Sequence, residues 1–286
     1  MSQLIINLTQ SAREDIEKSL DLYLEKRAPE QLWEAMQYSV FNGGKRIRPL
    51  LCLAACHSVS GDWQRALPAA CAVELIHAYS LIHDDLPALD NDDWRRGKPS
   101  SHKQFGEAMA ILAGDGLQTL AFQVVAKDGP LSLLQELAEA AGPLGMCGGQ
   151  VLDMHHEARS PEAILHVYRL KTGALIRAAI RMGAQVGGAS PHQLQALTAY
   201  AESLGQAFQV VDDLLDLTGS LDTLGKTPGK DLAQDKVTYP AAVGMSQAQE
   251  AVERDYAFAL DQLQQGKLKT TQWLADLAQR LVKRQT

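Results

Sequence analysis

Two clusters of aspartates lie inside otherwise apolar stretches of the sequence. The first contains Asp84, Asp85 and Asp90, and the second contains Asp212 and Asp216. Carboxylates this close repel one another, and the repulsion grows beside apolar side chains, so both clusters require compensating positive charge. Carboxylate oxygens without nearby cysteine or paired histidine favour Mg²⁺ over zinc or iron. The clusters therefore predict a magnesium site.

The spacing within each cluster constrains the backbone. Asp212 and Asp216 are one helical turn apart, so they share a helix face at about 40° separation. Asp84 and Asp90 would lie about 240° apart on an unbroken helix, so they can share a ligand only if the chain turns between them. Pro87 disfavours helix at the residue before it and predicts that turn. One aspartate pair alone is more often a solvated helix end, whereas two pairs within apolar helices favour a functional site.

Basic residues accompany both clusters. They lie in the segments Gly43-Gly44-Lys45-Arg46-Ile47-Arg48 and Arg95-Arg96-Gly97-Lys98, at Lys171-Thr172, and from Lys226 to Lys236. Ion pairs between such residues and the aspartates would contribute little at a surface. A Mg²⁺ ion that bridges carboxylates to phosphate oxygens, with arginine and lysine binding the remaining oxygens, accounts for both sets of charges.

The elements that must position these groups are predicted to be helices. Apolar residues recur at helical spacing over about 11–27, 29–42, 49–59, 66–86, 105–127, 130–141, 143–157, 161–187, 191–217, 246–264 and 271–284. No alternating strand pattern or hairpin turn of the Asn-Gly or Asp-Gly type is found. We therefore predict a single all-α domain over residues 1–286. The longest irregular segments, 88–103 and 218–240, each follow an aspartate cluster, as expected of functional loops.

Composition excludes several classes of protein. Lysine and arginine number 27 against 34 aspartates and glutamates, a net charge of −7 that argues against a nucleic-acid partner. Cys52, Cys56, Cys71 and Cys147 form no CxxC pair, and the first two lie in an apolar helical run that predicts buried thiols rather than zinc ligands. The start, MSQLIINLTQ, does not resemble a signal peptide, and no run reaches about 18 apolar residues. We therefore expect no membrane span and a cytoplasmic location.

The motifs are similar, in order and spacing, to those of a known family. GGKRIRP, LIHDDLPALDNDDWRRGKPSSHKQFGEAMAILAGDGLQTLAF, KTGALIRAA and FQVVDDLLD followed by LGKTPGKDLAQDKVTYP resemble the motif set of the trans-isoprenyl diphosphate synthases. The resemblance implies a helical bundle around a deep central cavity. It also implies condensation of dimethylallyl or geranyl diphosphate with isopentenyl diphosphate, with farnesyl diphosphate (C15) as the expected product. A geranyl or geranylgeranyl diphosphate synthase is the alternative.

The resemblance implies a role for each candidate residue. The ligands of Mg²⁺, expected at about three ions per active site with substrate bound, are Asp84, Asp85, Asp90, Asp212 and Asp216. The groups that bind the allylic diphosphate are Arg95, Lys171 and Lys226. Those that bind isopentenyl diphosphate are Lys45, Arg48, His77 and Arg96. The catalytic groups, expected near the reacting carbon, are Lys171, Thr172 and Gln209.

Product length is expected to depend on Tyr79 and Ser80. Tyr79 lies five residues before Asp84, about 7.5 Å along the same helix. An aromatic ring there would form the floor of the cavity, which in the family marks farnesyl products, whereas an ordinary core tyrosine is the alternative. Asn91 departs from the family pattern, in which aspartate is common. The resemblance further implies a homodimer with residues 105–125 as candidate interface, although burial in the core would explain that apolar face equally well.

Other interpretations remain to be compared with the structure. Glu74 and His77 form an ExxH pair typical of di-iron bundles, but no convincing second pair is present. Gly219 to Thr227 resembles a P-loop, yet it has five residues between the glycines instead of four and follows no predicted strand. His77 itself could be a buried structural histidine. A class I terpene cyclase or a non-catalytic subunit would be expected to lack one aspartate motif or the second diphosphate pocket.

Overall fold

The computed structural model describes residues 3–155, 159–218 and 237–283. Helices dominate these ranges. They are α1 (Gln3–Tyr23), α2 (Glu30–Val40), α3 (Ile47–Ser60), α4 (Leu67–Asp84), α5 (Ser101–Phe105), α6 (Glu107–Asp128), α7 (Leu131–Ala141), α8 (Met146–Met154), α9 (Pro161–Tyr168), α10 (Ala174–Val186), α11 (Pro191–Thr218), α12 (Tyr239–Val243), α13 (Met245–Gln265) and α14 (Gln272–Val282). A 3₁₀ turn, Gln64–Ala66, precedes α4, and a π-helical turn, Arg169–Gly173, joins α9 to α10.

The predicted all-α bundle is confirmed, with differences at particular helices. The helix predicted over 105–127 is α6, which begins after Gly106, and the short helix α5 lies mostly within the segment 88–103 that was predicted to be irregular. The stretch predicted over 161–187 is interrupted by the π-helical turn. Helix α1 begins earlier than predicted, at Gln3, where Ile5 packs into the core. The depth of the predicted cavity stays a prediction, as does the single domain.

Helix α4 lies at the centre of the bundle. It contacts α1, α2, α3, α6 and α10, and its buried residues cover all sides of the helix. Such a helix needs apolar residues all round, which is why its sequence shows little amphipathic pattern. The first aspartate cluster begins at its last residue, Asp84. Those carboxylates therefore begin at the end of a helix that is buried on all sides.

A short hairpin follows α4. Strand β1 (Trp94–Arg95) pairs antiparallel with β2 (Lys98–Pro99), and Arg96 and Gly97 form the turn with φ of +55° and +78°. Two consecutive left-handed residues are the signature of a type I′ turn, in which glycine is favoured. The expectation of no strand was wrong for these four residues, because two-residue strands are too short to show an alternating pattern.

Two helices match a membrane span by length and composition. Windows in Gln64–Asp84 and Glu107–Lys127 have mean hydropathies of 1.2 and 1.3. Polar residues interrupt both windows, so neither is an unbroken run of about 18 apolar residues, but their mean hydropathy still passes the test. The core helix of a folded domain passes the same test, and 67% of the α4 window is buried, against 39% for α6. The absence of a membrane span stays a prediction.

The cysteine prediction is confirmed. Cys52 and Cys56 are buried in α3, Cys71 is buried in α4, and Cys147 is exposed on α8. Burial raises the pKa of Cys56 and of Cys71, so these thiols stay protonated and behave as small apolar side chains.

Candidate active site

The chain turns back on itself directly after α4. The Asp90 amide donates to the Asp84 carbonyl at 2.8 Å, and the Asp92 amide donates to the Asp85 carbonyl at 3.1 Å. The turn predicted from Pro87 is therefore confirmed, and it returns Asp90 to the end of the helix. Asn91, the position that departs from the family pattern, has φ of +49°. Asparagine tolerates this left-handed conformation better than most residues, which gives it a backbone role there.

The surroundings of Asp84 disfavour its ionised form. Burial raises the pKa of its carboxyl to about 6, and the carboxylates of Asp90 and Asp85 push in the same direction. Lys171 and Arg95 oppose the shift without cancelling it. A further cation would stabilise the ionised form of Asp84, and the carboxylate oxygens of Asp84, Asp85 and Asp90 are hard ligands. The residues present therefore fit Mg²⁺.

Asp85 forms a buried ion pair with Arg95. Asp85 is 2% exposed, and Arg95 Nε lies 3.0 Å from Oδ1 and 3.2 Å from Oδ2, with Nη2 also donating to Oδ1. Burial raises the pKa of Asp85, and the bonds from Arg95 oppose that rise. In this arrangement Asp85 orients Arg95 towards the site. Its role as a metal ligand stays a prediction.

The π-helical turn places Lys171 and Thr172. A Cβ on Gly149 would lie 2.2 Å from the Lys171 amide nitrogen, and one on Gly205 would lie 3.2 Å from the Gly173 Cα. Helices α8 and α11 therefore enclose the turn by backbone contact that a larger residue would prevent. π-helical turns within α-helices are frequent at functional sites.

The same packing pairs Lys171 with an acid that the sequence analysis missed. Lys171 Nζ lies 2.6 Å from Asp153 Oδ2, and the two side chains are 27% and 12% exposed. Asp153 lies in the last full turn of α8, where a carboxylate is disfavoured by the helix dipole. A carboxylate at the C-terminal end of a helix is therefore a sequence signal that could have identified Asp153.

Helix α11 carries the second aspartate cluster. Thr172 Oγ1 donates to Gln209 Oε1 at 2.9 Å, and Gln209 Nε2 donates to Asp213 Oδ1 at 3.3 Å. The predicted catalytic groups Lys171, Thr172 and Gln209 are thus linked across two elements. Their roles stay predictions.

Within this cluster the structure separates Asp213 from its neighbours. Asp213 is 4% exposed, and the Tyr168 hydroxyl donates to its Oδ2, whereas Asp212 and Asp216 are half-buried. Burial and the Asp213 charge raise the pKa of Tyr168, so it remains a neutral donor. Sequence analysis missed Tyr168, for which no local signal exists. Asp212 and Asp216, which share a helix face by their spacing, are therefore the less buried carboxylates of this cluster.

A second group of basic residues surrounds His77. Arg48 Nη1 lies 3.4 Å from His77 Nε2, and because a guanidinium can only donate, Nε2 is the acceptor. Loss of hydration and the charges of Arg48 and Arg96 hold the pKa of His77 well below its ordinary value. His77 is therefore neutral at pH 7. Arg96 donates to the Gly43 carbonyl, which places it over the loop that carries exposed Lys45.

Arg46, from the same loop, points the other way. It is 4% exposed and contacts Glu74 Oε1 at 2.7 Å, Glu17 Oε1 at 2.7 Å and the Val40 carbonyl at 2.8 Å. This network uses Glu74, so the ExxH pair with His77 does not form half of a di-iron site. Arg46 is a structural residue, unlike its neighbours in the motif.

No ready-made metal cage is present in residues 3–155, 159–218 and 237–283, since no three histidine, cysteine, aspartate or glutamate side chains converge there. Mutual repulsion keeps carboxylates apart when no cation lies between them. The predicted metal roles of Asp84, Asp90, Asp212 and Asp216 therefore stay predictions. Lys226 and the P-loop-like segment 219–227 lie outside the described residues.

Tyr79 lies under the first aspartate cluster. It is 8% exposed, its ring meets His83 edge-on at 5.7 Å between centroids, and burial raises its pKa against a hydrogen bond with Gln118. The Ser80 hydroxyl donates to the His77 carbonyl at 3.0 Å. Tyr79 is thus held firmly between α4 and α6, as a residue that limits a cavity would need to be.

Comparison with known proteins places this geometry in context. Residues 29–274 match the sequence model of the polyprenyl synthetase family. The heterodimeric geranylgeranyl pyrophosphate synthase large subunit 1 of Arabidopsis thaliana, a chloroplastic protein, is 46% identical over 262 residues, 87% of this chain and 71% of the relative. Farnesyl diphosphate synthase of Geobacillus stearothermophilus is 46% identical over 249 residues, 83% of this chain and 84% of the relative. The crystal structure of an FPP/GFPP synthase from Zymomonas mobilis superposes with a TM-score of 0.86 at 34% identity, covering 99% of this chain and 100% of that one.

Proposed function

Because this chain belongs to the polyprenyl synthetase family and is a transferase of the prenyl synthase type, we propose that it condenses isopentenyl diphosphate with dimethylallyl and then geranyl diphosphate to make farnesyl diphosphate. The observation that carries the proposal is the turn that returns Asp90 to Asp84, beside Lys171 and Arg95. Acidic and basic groups at one helix end suit a diphosphate bound through a cation.

The residues divide between two diphosphates. Arg95 and Lys171 bind the allylic diphosphate, and their positions are set by Asp85 and Asp153. Isopentenyl diphosphate is bound by Lys45, Arg48, His77 and Arg96. Neutral His77 contributes a hydrogen bond rather than a positive charge. We do not assign it the role of a general base. Asp84, Asp90, Asp212 and Asp216, with Asp85, would hold Mg²⁺, which when bound stabilises negative charge on the diphosphate.

The reaction breaks one bond and forms another without a protein nucleophile. The C–O bond of the allylic diphosphate breaks, and its electron pair leaves with the diphosphate held by Arg95 and Lys171. The double bond of isopentenyl diphosphate attacks the resulting carbocation to form the new C–C bond. A proton then leaves the neighbouring carbon for the released diphosphate, which restores a double bond. Thr172 and Gln209 lie beside the reacting carbon, where their mutual hydrogen bond fixes both side chains.

A direct assay tests the proposal. Purified protein, Mg²⁺, dimethylallyl diphosphate and labelled isopentenyl diphosphate are expected to give a C15 product, and a chelator is expected to stop turnover. No condensation by correctly folded protein would refute the function. A C20 main product would keep the prenyl transfer and overturn the C15 assignment, which rests on Tyr79.

Tyr79→Ala is expected to lengthen the product. Removing a buried ring opens space beneath the first aspartate cluster, into which a longer chain can extend. Chromatography of the dephosphorylated products should show the main product moving from C15 to C20 or longer. Tyr79→Phe keeps the ring and should keep C15. Unchanged C15 output from the alanine variant would show that this ring does not limit the chain.

We also propose a homodimer. Ile111 and Leu112 on α6 are 45% and 54% exposed, and a second copy of the chain would cover this apolar surface. Light scattering on the purified protein should give twice the chain mass, 31.1 kDa. Leu112→Glu is expected to shift the protein towards monomer, and a monomeric unmodified protein would contradict the proposal.

Asp153→Asn is expected to weaken substrate binding more than it weakens the fold. Lys171 loses the carboxylate that directs it, so the KM for the allylic diphosphate should rise about tenfold. Steady-state kinetics with geranyl diphosphate measure this. Glu136→Gln is a matched control, because the Arg181–Glu136 pair at 2.8 Å has similar exposures of 26% and 13% but lies between α7 and α10. Equal KM changes in both variants would show that Asp153 has no special relation to substrate.

A further inference from the structure

The hairpin after the first aspartate cluster carries one arginine of each diphosphate group. Arg95 ends β1, and Arg96 occupies the turn. Two-residue strands do not stabilise a hairpin by themselves, so contacts from elsewhere must determine where the two guanidinium groups lie. Asp85 holds the Arg95 guanidinium, and the contacts that hold the hairpin backbone and Arg96 come from α2 and the residues that follow it.

Two side chains tie the hairpin to α2. Asn42 Nδ2 donates to the Arg95 carbonyl at 2.9 Å, and the Tyr38 hydroxyl donates to the Pro99 carbonyl at 2.8 Å. Asn42 is 6% exposed, and the next carbonyl along the chain, that of Gly43, accepts a bond from the Arg96 side chain. Consecutive residues therefore contact both arginines.

A small cavity lies between these groups. It measures about 20 Å³, and its lining includes Asn42, Asp85, Arg95, Arg96 and Ser101. Two buried oxygens in this lining, Asn42 Oδ1 and Ser101 Oγ, have no hydrogen-bond partner among the residues that the structure describes. A buried polar atom left without a partner destabilises the folded state. The volume is sufficient for one water, which would satisfy both oxygens.

We propose that Asn42 is a positioning residue for the diphosphate-binding arginines, acting through the Arg95 main chain and through one buried water shared with Ser101. The inference rests on the proposed function, since it assigns Arg95 and Arg96 to the two diphosphates. Asn42 touches neither substrate. It joins the loop that carries Lys45 to the hairpin, so it holds the two groups of cations at a defined separation.

Asn42→Ala tests this directly. Loss of the amide frees the Arg95 carbonyl and the water site, so amide hydrogen exchange of the 94–99 hairpin should become faster. The KM values for both diphosphates should rise about five- to tenfold, with kcat changed less than about threefold. Ser101→Ala, which keeps the Arg95 bond and removes one partner of the water, should raise both KM values about twofold.

Gln37→Ala is the matched control. Gln37 lies on α2, five residues before Asn42, and donates its amide to the Leu24 carbonyl at 2.9 Å, away from the hairpin. It should lower stability by a similar amount and leave hairpin exchange and both KM values unchanged. Equal changes in the Asn42 and Gln37 variants would overturn the proposal.

Two outcomes separate this proposal from the proposed function. Unchanged hairpin exchange in Asn42→Ala overturns the positioning role whether or not the protein condenses prenyl diphosphates. Faster exchange with unchanged KM values in an active enzyme overturns the link to substrate and leaves the function standing. A high-resolution crystal structure should show one water within hydrogen-bond distance of Asn42 Oδ1 and Ser101 Oγ, and its absence from clear density overturns the water-mediated part.

Discussion

Asp84→Asn is expected to raise the melting temperature of the metal-free protein and to lower prenyltransferase turnover at least about 100-fold. Burial beside Asp85 and Asp90 raises the pKa of the Asp84 carboxyl to about 6, so its ionised form is disfavoured in the folded state. Asparagine keeps the shape and removes the charge. The gain should be about 1–3 kcal/mol near pH 8, or a few degrees in melting temperature.

The stability gained in Asp84→Asn is expected to depend on pH. A carboxyl with a folded pKa near 6 and an unfolded value near 3.8 binds its proton more tightly in the folded state. Its ionisation therefore costs stability as the pH rises from about 4 through 6. The advantage of Asp84→Asn should be largest above pH 7 and should disappear as the pH falls to about 4. Differential scanning calorimetry of the chelated proteins across that range measures it.

Asp93→Asn is the control for Asp84→Asn. The Asp93 side chain is 58% exposed and pairs with Lys103 at 2.8 Å, so its neutralisation should change melting temperature and turnover little. Added Mg²⁺ should stabilise the unmodified protein more than Asp84→Asn. A destabilised Asp84→Asn at pH 8, or one with normal turnover, would contradict the assignment of this carboxylate.

Arg46→Ala is expected to cost about 3–5 kcal/mol of folding free energy. Arg46 is 4% exposed and its side chain satisfies Glu74, which is 3% exposed, as well as the Val40 carbonyl. Removing the guanidinium leaves a buried carboxylate without a partner. Urea unfolding followed by circular dichroism measures the loss.

Two further variants show whether the cost arises from the uncompensated charge. The double variant Arg46→Met with Glu74→Leu removes both buried charges and should recover most of the stability lost in Arg46→Ala. Arg254→Ala removes an arginine whose side chain is 66% exposed, paired with Asp255, and should cost less than about 1 kcal/mol. Similar losses in Arg46→Ala and Arg254→Ala would mean that the buried network contributes no more than a surface pair.

Much of this protein could be read from the sequence because the signals are local. Helical periodicity predicts most of the helices, and four-residue spacing predicts that Asp212 and Asp216 share a face. Pro87 predicts the turn that returns Asp90 to Asp84, because it limits the conformation of its neighbour. The resemblance to trans-isoprenyl diphosphate synthases, drawn from ordered motifs, is confirmed by the family match over residues 29–274.

Only the tertiary structure decided which charged residues are buried in structural ion pairs and which lie among the candidate site residues. Arg46 and Arg48 are two residues apart in one motif, yet Arg46 is buried against Glu17 and Glu74 while Arg48 contacts His77. The pairs Lys171–Asp153 and Asn42–Arg95 likewise join residues 18 and 53 positions apart. Periodicity and turn preferences act between near neighbours along the chain. Ion pairs and buried hydrogen bonds depend on which helices pack together, and that packing is set by the whole core.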